Sequence, residues 1–213
     1  NLFFNTGIDE NNVATTHEVM EDGFGTKDQL VDIEKVIGSN DADTIKGDSS
    51  TNTIQSGLGD DTIIATDGSD TIDGGGHTTG TGGGDWLSFQ ALGAAVDAAM
   101  QNGTITGGLG TTNITDIENL LGSNFADSLT GDANDNSLDG NAGNDVINGG
   151  SANDYIKAGA GNDNVNGGTG NDIIYTGIGT DNVNGDSGLD TIYNEDGADT
   201  INRGAEVDDL FFL

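Results

Sequence analysis

Apolar residues in this chain are spread singly and at a fixed interval. From Gly122 to Phe211 the sequence divides into GSNFADSLT, GDANDNSLD, GNAGNDVIN, GGSANDYIK, AGAGNDNVN, GGTGNDIIY, TGIGTDNVN, GDSGLDTIY, NEDGADTIN and RGAEVDDLF. The eighth position of every unit is aliphatic: Leu129, Leu138, Ile147, Ile156, Val165, Ile174, Val183, Ile192, Ile201 and Leu210. A shorter run from Gly38 to Asp73, GSNDADTIK, GDSSTNTIQ, SGLGDDTII and ATDGSDTID, carries Ile45, Ile54, Ile63 and Ile72 in the same place. A stray unit, GTGGGDWLS from Gly80, adds Asp85 and Leu87.

Glycine early in the unit permits positive φ and close backbone approach, so those positions form a turn and the last three a short strand. Side chains alternate across a strand, so position eight faces inward while seven and nine face out. One inward aliphatic residue in nine is too little to bury alone, and stacking is obligatory. Two units make a coil of 18 residues, which brings identical positions in successive coils to the strand spacing of about 4.8 Å. The pattern therefore predicts an all-β parallel β-roll or β-solenoid.

The stretch from Gly110, GTTNITDIENLLGSNFADSLTGD, echoes GTKDQLVDIEKVIGSNDADTIKGD from Gly25; Asp32, Ile33, Glu34, Gly38, Ser39, Ala42, Asp43 and Gly47 recur 84 positions later. Two tandem repeat blocks are expected. Residues 1–84 hold wider β-solenoid coils over 1–37, an array over 38–73 and a Gly-rich loop over 74–84. Residues 85–213 hold wider coils over 88–121, an array over 122–211 and an apolar cap, LFFL, over 210–213. Ala91 to Met100 also reads as a short helix on its alanine content.

Charge changes the picture. The chain carries 37 acidic against 5 basic side chains, a formal charge of −32. Such a composition ordinarily marks disorder, but here the acids are periodic. The sixth position reads Asp127, Asn136, Asp145, Asp154, Asp163, Asp172, Asp181, Asp190, Asp199 and Asp208 in the long array, and Asp43, Asn52, Asp61 and Asp70 in the short one. Stacked coils would set these carboxylates in columns, and columns of bare charge drive coils apart. Calcium, which accepts six to eight mixed oxygens, converts that repulsion into cohesion; folding and ion binding then become one equilibrium. With no cysteine, metal is also the available staple. The charge argues against nucleic acid or anionic lipid as partners, and no segment has the apolar length to insert in a membrane as a helix.

These arrays resemble the RTX (repeats in toxin) family, whose consensus is G-G-x-G-x-D-x-U-x with U aliphatic. The resemblance implies a right-handed parallel β-roll whose turns bind several Ca²⁺ ions. It extends that role to the matching aspartates Asp43, Asp61, Asp70, Asp127, Asp145, Asp154, Asp163, Asp172, Asp181, Asp190, Asp199 and Asp208. Asn52 and Asn136 depart from the pattern, which predicts weaker sites there. It further implies type I secretion by a bacterium and a module that folds in extracellular calcium.

No motif points to catalysis. HEVME at His17 falls short of a zinc-protease helix because the second imidazole is replaced by Glu21. GGGHTTGTGGG from Gly74 lacks the lysine of a phosphate loop, and DNSLDG at Asp135 would place Val146 where a calcium EF-hand needs glutamate. The chain begins at Asn1 and is expected to be a fragment: a structural or adhesive, non-enzymatic part of a larger secreted or surface protein, such as an adhesin or surface-layer chain. The alternative is the C-terminal folding module of a secreted protease, lipase or epimerase. Outward positions of the odd units are rich in asparagine (Asn148, Asn164, Asn166, Asn182, Asn184, Asn202). The even units present Tyr155, Ile173, Tyr175 and Tyr193, an aromatic face expected to meet an adjoining domain, another protein or a glycan.

Overall fold

The computed structural model describes residues 15–20, 27–32, 35–77, 83–107, 110–195, 198–204 and 209–213. Among these, strands of three to six residues form two 11-stranded sheets. The chain alternates between them: Ser128–Thr130 lies in one, Ser137–Asp139 in the other, and Val146–Ser151 returns to the first. Pairing is parallel and steps by 18 residues. Leu129 lies opposite Ile147, Ile147 opposite Val165 and Val165 opposite Val183; Leu138, Ile156, Ile174 and Ile192 form the facing column.

The position-eight residues are the core, as the period required. From Ile45 to Ile192 each is buried, with Ile201 and Leu210 partly buried at the far end. A stack this thin has no reserve at its turns. Positions two and four of the unit take positive φ: Gly159 and Gly161 stand at 106° and 146°, and a Cβ on Gly161 would collide with the carbonyl oxygen of Gly143 one coil away. Ala152 occupies position four of its unit at φ 72°, a conformation that strains any residue with a Cβ.

Both arrays belong to one continuous stack. In one sheet Thr62–Ile64, Trp86–Ser88, Asn119–Leu121 and Ser137–Asp139 are successive parallel neighbours. The other sheet crosses the same region differently. Thr112–Thr115 pairs with Thr71–Asp73 and Val96–Ala99 with Ser128–Thr130, both parallel, while Thr104–Gly107 runs antiparallel between them. The described residues of 88–121 thus run through an antiparallel meander and not through simple wider coils. The helix reading of Ala91 to Met100 gives way to the strand Val96–Ala99 and one 3-10 turn, Met100–Asn102, closed by Gly103 at φ 60°. Alternation decided against alanine propensity: Val96 and Ala98 are buried, Asp97 is exposed, and Phe89, Leu92, Ile105 and Ile114 complete a thicker core.

At the start, Thr15–Met20 and Lys27–Asp32 form an antiparallel hairpin whose first strand pairs antiparallel with Thr44–Lys46. This differs from the wider parallel coils expected over 1–37, of which residues 1–14, 21–26 and 33–34 lie outside the described residues. It also puts the first four residues of HEVME on a strand. At the other end Asp209–Phe212 adds a parallel strand beside Thr191–Asn194. The terminal LFFL thus extends the sheet, and Phe212 and Leu213 remain exposed.

Replacing the strained alanine, Ala152→Gly, is expected to stabilise the calcium-loaded protein by about 0.5–1 kcal/mol. Gly161→Ala should destabilise it by roughly 2 kcal/mol or more. Denaturant unfolding followed by circular dichroism in excess calcium reads both; equal signs for the two variants would contradict the turn geometry.

Candidate metal centre

The position-six side chains lie at the two edges where coils turn from one sheet to the other. Each folds one carboxylate oxygen back onto the preceding coil. Oδ1 of Asp145 accepts the backbone N–H of Asp127 at 2.8 Å, Asp163 that of Asp145, and Asp181 that of Asp163. On the opposite edge Asp154 accepts from Asn136, Asp172 from Asp154 and Asp190 from Asp172. Asp61 and Asp70 do the same for Asp43 and Asn52, and Asp199 for Asp181. The two columns expected from the 18-residue coil are thus formed; Asp208 lies outside the described residues.

The second oxygen is the informative one. Oδ2 of Asp61, Asp145, Asp154, Asp163, Asp172 and Asp199 is buried and meets no hydrogen-bond donor. Those of Asp145, Asp154 and Asp172 face the void left by a position-one glycine, Gly140, Gly149 and Gly167 respectively. A Cβ on Gly167 would lie 2.5 Å from Oδ2 of Asp172 and 2.8 Å from the carbonyl oxygen of Gly185, and one on Gly122 2.5 Å from the carbonyl oxygen of Gly140 and 2.8 Å from Oδ2 of Asp127. The turn is a small chamber walled by anionic and carbonyl oxygens. Those donors suit a hard cation, and calcium tolerates their irregular placement better than magnesium does.

Not every position-six oxygen is orphaned. Oδ2 of Asp43 and of Asp127 accepts the N–H of Ser39 and Ser123, each four residues earlier, at 2.6 Å. Asn136 accepts from Asp132 through Oδ1 and donates through Nδ2 to the carbonyl of Glu118 at 3.0 Å. Its amide supplies its own donor where an aspartate would need a cation. Asn52 likewise accepts from the Asp48 N–H.

Burial makes the carboxyls of the metal-free chambers weaker acids that hold their protons to higher pH. Desolvation, only partly offset by the N–H bonds of Asp127 and Asn136, pushes the carboxyls of Asp145 and Asp154 up to about 7, with neighbouring carboxylates adding to the rise. Asp70 and Asp172 are raised to about 6 for the same first reason. Asp61 and Asp163 are raised as well.

Three features go beyond the nonapeptide pattern, in which Asp85 already stood at the sixth position of a stray unit. Asp85 and Glu118 continue the column between the arrays, Asp85 accepting from the N–H of Asp61 and Glu118 from that of Asp85, each at 2.8 Å. The signal was present, since Glu118 precedes Asn119-Leu120-Leu121 nine residues before Asp127. The other edge is interrupted, with Thr112 and Val96 standing opposite Asp70 and Asp127. Third, position-five side chains bond in the opposite sense, Oδ1 of Asn144, Asn153 and Asn162 accepting from Asn162, Asn171 and Thr180 one coil later. On the outer faces, the asparagine row forms an amide ladder, with Asn182 donating to Asn164 and Asn202 to Asn184 at 2.8 Å. The aromatic row is stacked: Tyr155 to Tyr175 at 5.6 Å, Tyr175 to Tyr193 at 4.5 Å, and Tyr193 to Phe211 at 5.2 Å between centroids. Ile173 lies beside Tyr155 in register.

A parallel β-solenoid whose turns repeat one oxygen-lined chamber defines a class of repeat module built around cations. The RTX calcium-binding nonapeptide repeat matches residues 32–63, 47–76, 121–156, 148–183, 157–192 and 175–210. These stretches make up more than half of the chain, and the chain belongs to that family: it is a calcium-binding β-roll module. No curated protein matches it. Among solved structures, that of the extracellular lipase LipA from Serratia marcescens is similar over 81% of this chain at 22% identity, with a TM-score of 0.30. The chain spans 33% of that lipase chain.

The raised carboxyls set the sign of the pH response. Without cations the folded state holds protons, from about pH 4 to about pH 7, that the unfolded chain has released, so stability is present at low pH and lost as pH rises. The chain in EDTA should therefore gain strand signal on acidification from about pH 8 to about pH 5. Calcium uptake near about pH 6 should release protons, measurable by calorimetry in two buffers of different ionisation enthalpy. Buffer-independent heats would show that no shifted carboxyl lies at the ion sites.

Proposed function

We propose that this chain is a folding module driven by calcium, unfolded at the submicromolar calcium of a bacterial cytosol and folded at the millimolar calcium outside. It serves as a structural or adhesive part of a longer secreted or surface protein exported by type I secretion. The observation that carries this reading is the set of buried, donor-less Oδ2 atoms repeated every 18 residues. An uncompensated buried carboxylate is strongly unfavourable, so the stack waits for a cation. The proposed ligands are Asp43, Asp61, Asp70, Asp127, Asp145, Asp154, Asp163, Asp172, Asp181, Asp190, Asp199 and Asp208, each with turn carbonyls. Asp43 and Asp127 contribute more weakly, because a backbone N–H already holds the second oxygen.

Calcium itself performs no chemistry in this scheme; it neutralises charge between coils. The protein supplies the order of the sites, and export through a narrow path is compatible with a chain that cannot fold until it emerges. The RTX repeat acts here as a structural module.

Calcium titration followed by circular dichroism should give a cooperative gain of strand signal with a midpoint in the range of about 0.1–1 mM, and magnesium should substitute poorly. Asp154→Ala should move the midpoint to higher calcium and Asn136→Asp to lower. A chain fully β-structured in EDTA, with midpoints insensitive to both variants, would sink the proposal.

The row formed by Tyr155, Ile173, Tyr175 and Tyr193 is proposed as the face on which an adjoining module of the longer chain packs; its rings form a continuous strip along the sheet. Tyr175→Ser with Tyr193→Ser should leave the calcium-induced transition intact while weakening association with flanking sequence, as read by sedimentation of the extended protein. Undiminished association would remove this assignment.

A further inference from the structure

One cluster has a donor the arrays do not offer. His77, Asp85 and Glu118 bring an imidazole nitrogen and two carboxylate oxygens within 4.8 Å of one another. All three fall between the stretches that match the family repeat, which end at residue 76 and resume at 121.

Several contacts fix the cluster. Glu118 Oε2 accepts the Asp85 N–H at 2.8 Å and lies 3.2 Å from Nδ1 of His77. Asn119 ties the loop down through Nδ2, which donates to the carbonyl of Gly83 at 3.0 Å. Gly84 has φ 93°, and its missing Cβ leaves the space into which the Glu118 side chain fits. Asp85 is fully buried; its Oδ1 is committed to the Asp61 N–H, and its Oδ2 has no donor. A buried carboxylate oxygen beside a second carboxylate and an imidazole is a ligand set without its ion.

We propose that His77, Asp85 and Glu118 form a site for a borderline divalent cation of the zinc class, distinct in chemistry from the calcium turns. Imidazole is a preferred ligand of zinc, whereas calcium and magnesium favour all-oxygen cages. Two ligands of a tetrahedral zinc with bonds of about 2.0–2.1 Å stand about 3.3 Å apart, and the His77 to Glu118 separation is 3.2 Å. Three protein ligands leave a fourth position for water. The Asp85 N–H bond to Glu118 acts as an outer partner that orients the carboxylate. Burial raises the carboxyl of Asp85 to about 7 and raises that of Glu118 too, a charge stress that a bound cation relieves. The site would pin the loop after the short array to the strand at Asn119–Leu121, joining the two arrays with a staple that does not depend on calcium.

The test is calorimetric titration of the full chain with zinc chloride in saturating calcium, with folding checked by circular dichroism. The expected result is one zinc per chain, bound at least about tenfold more weakly by His77→Ala and by Glu118→Gln, with calcium midpoints unchanged. Cobalt in place of zinc should give the visible absorption of a tetrahedral centre, abolished by His77→Ala. Absence of saturable zinc binding, binding equal in His77→Ala, or loss of binding only in His17→Ala would each overturn the proposal. None of these outcomes bears on the calcium turns, whose titration is separate.

Discussion

Like charges held one strand apart are the constraint on which this structure depends. Two carboxylates at about 4.8 Å and an effective dielectric near 20 repel by about 3 kcal/mol. Burying one isoleucine or valine gains roughly 1.5–3 kcal/mol. Each coil of the long array brings two such residues to the core and two such carboxylates to its edges. The terms are of one size, so the apolar column alone cannot hold the stack at neutral pH. The N–H bonds to Oδ1 quench half of these carboxylates; at Asp145, Asp154 and Asp172 the other half faces a glycine void and carbonyl oxygens, where a cation or a proton must settle the balance. Protons do so below about pH 7 at Asp145 and Asp154.

The rest of the fold follows where that constraint applies and where it lapses. Within the arrays, a glycine at position one leaves its space to Oδ2 and a neighbouring carbonyl, as at Gly167. Positions five and six bond to opposite neighbours, Asn153 to the coil after and Asp154 to the coil before, so each turn is tied in both directions. Between the arrays one edge loses its carboxylates, with Thr112 and Val96 in their place. There the core thickens with Phe89, Leu92 and Ile105, and the chain uses antiparallel strands that need no ion at their turns. The meander is the part of the stack that apolar packing can hold by itself.

The nonapeptide period made much of this legible. It fixed the inward column from Leu129 to Ile192, the 18-residue register and the aspartate columns, because each depends only on counting along the chain. The meander was not legible, for a physical reason. Val-Asp-Ala-Ala and Thr-Asn-Ile-Thr are too short to separate strand from helix by alternation, and what pairs Thr104–Gly107 between two strands from distant coils is tertiary. The place of Glu118 in the column was hidden by the glycine-poor stretch around it. The orphaned Oδ2 atoms were beyond any sequence reading, since whether an aspartate oxygen meets an N–H, as at Asp127 through Ser123, or meets nothing, as at Asp172, depends on the turn in three dimensions.

One added methylene accounts for the change of chemistry at the junction. Glu118 stands where the arrays have aspartate, and it still reaches the amide of the preceding rung, Asp85, at the 2.8 Å that Asp145 keeps to Asp127. A longer side chain making the same bond must carry its carboxylate along a different path, and here that path ends beside His77. The rung therefore keeps its structural bond while exchanging a carbonyl-lined chamber for one with an imidazole. Within a single column, side-chain length at one position separates oxygen-only sites from a mixed nitrogen and oxygen site. Loop 74–77, which brings the histidine, is held by its backbone as well, Gly74 donating to the carbonyl of Thr115 at 3.0 Å and Gly76 to that of Gly57 at 2.8 Å.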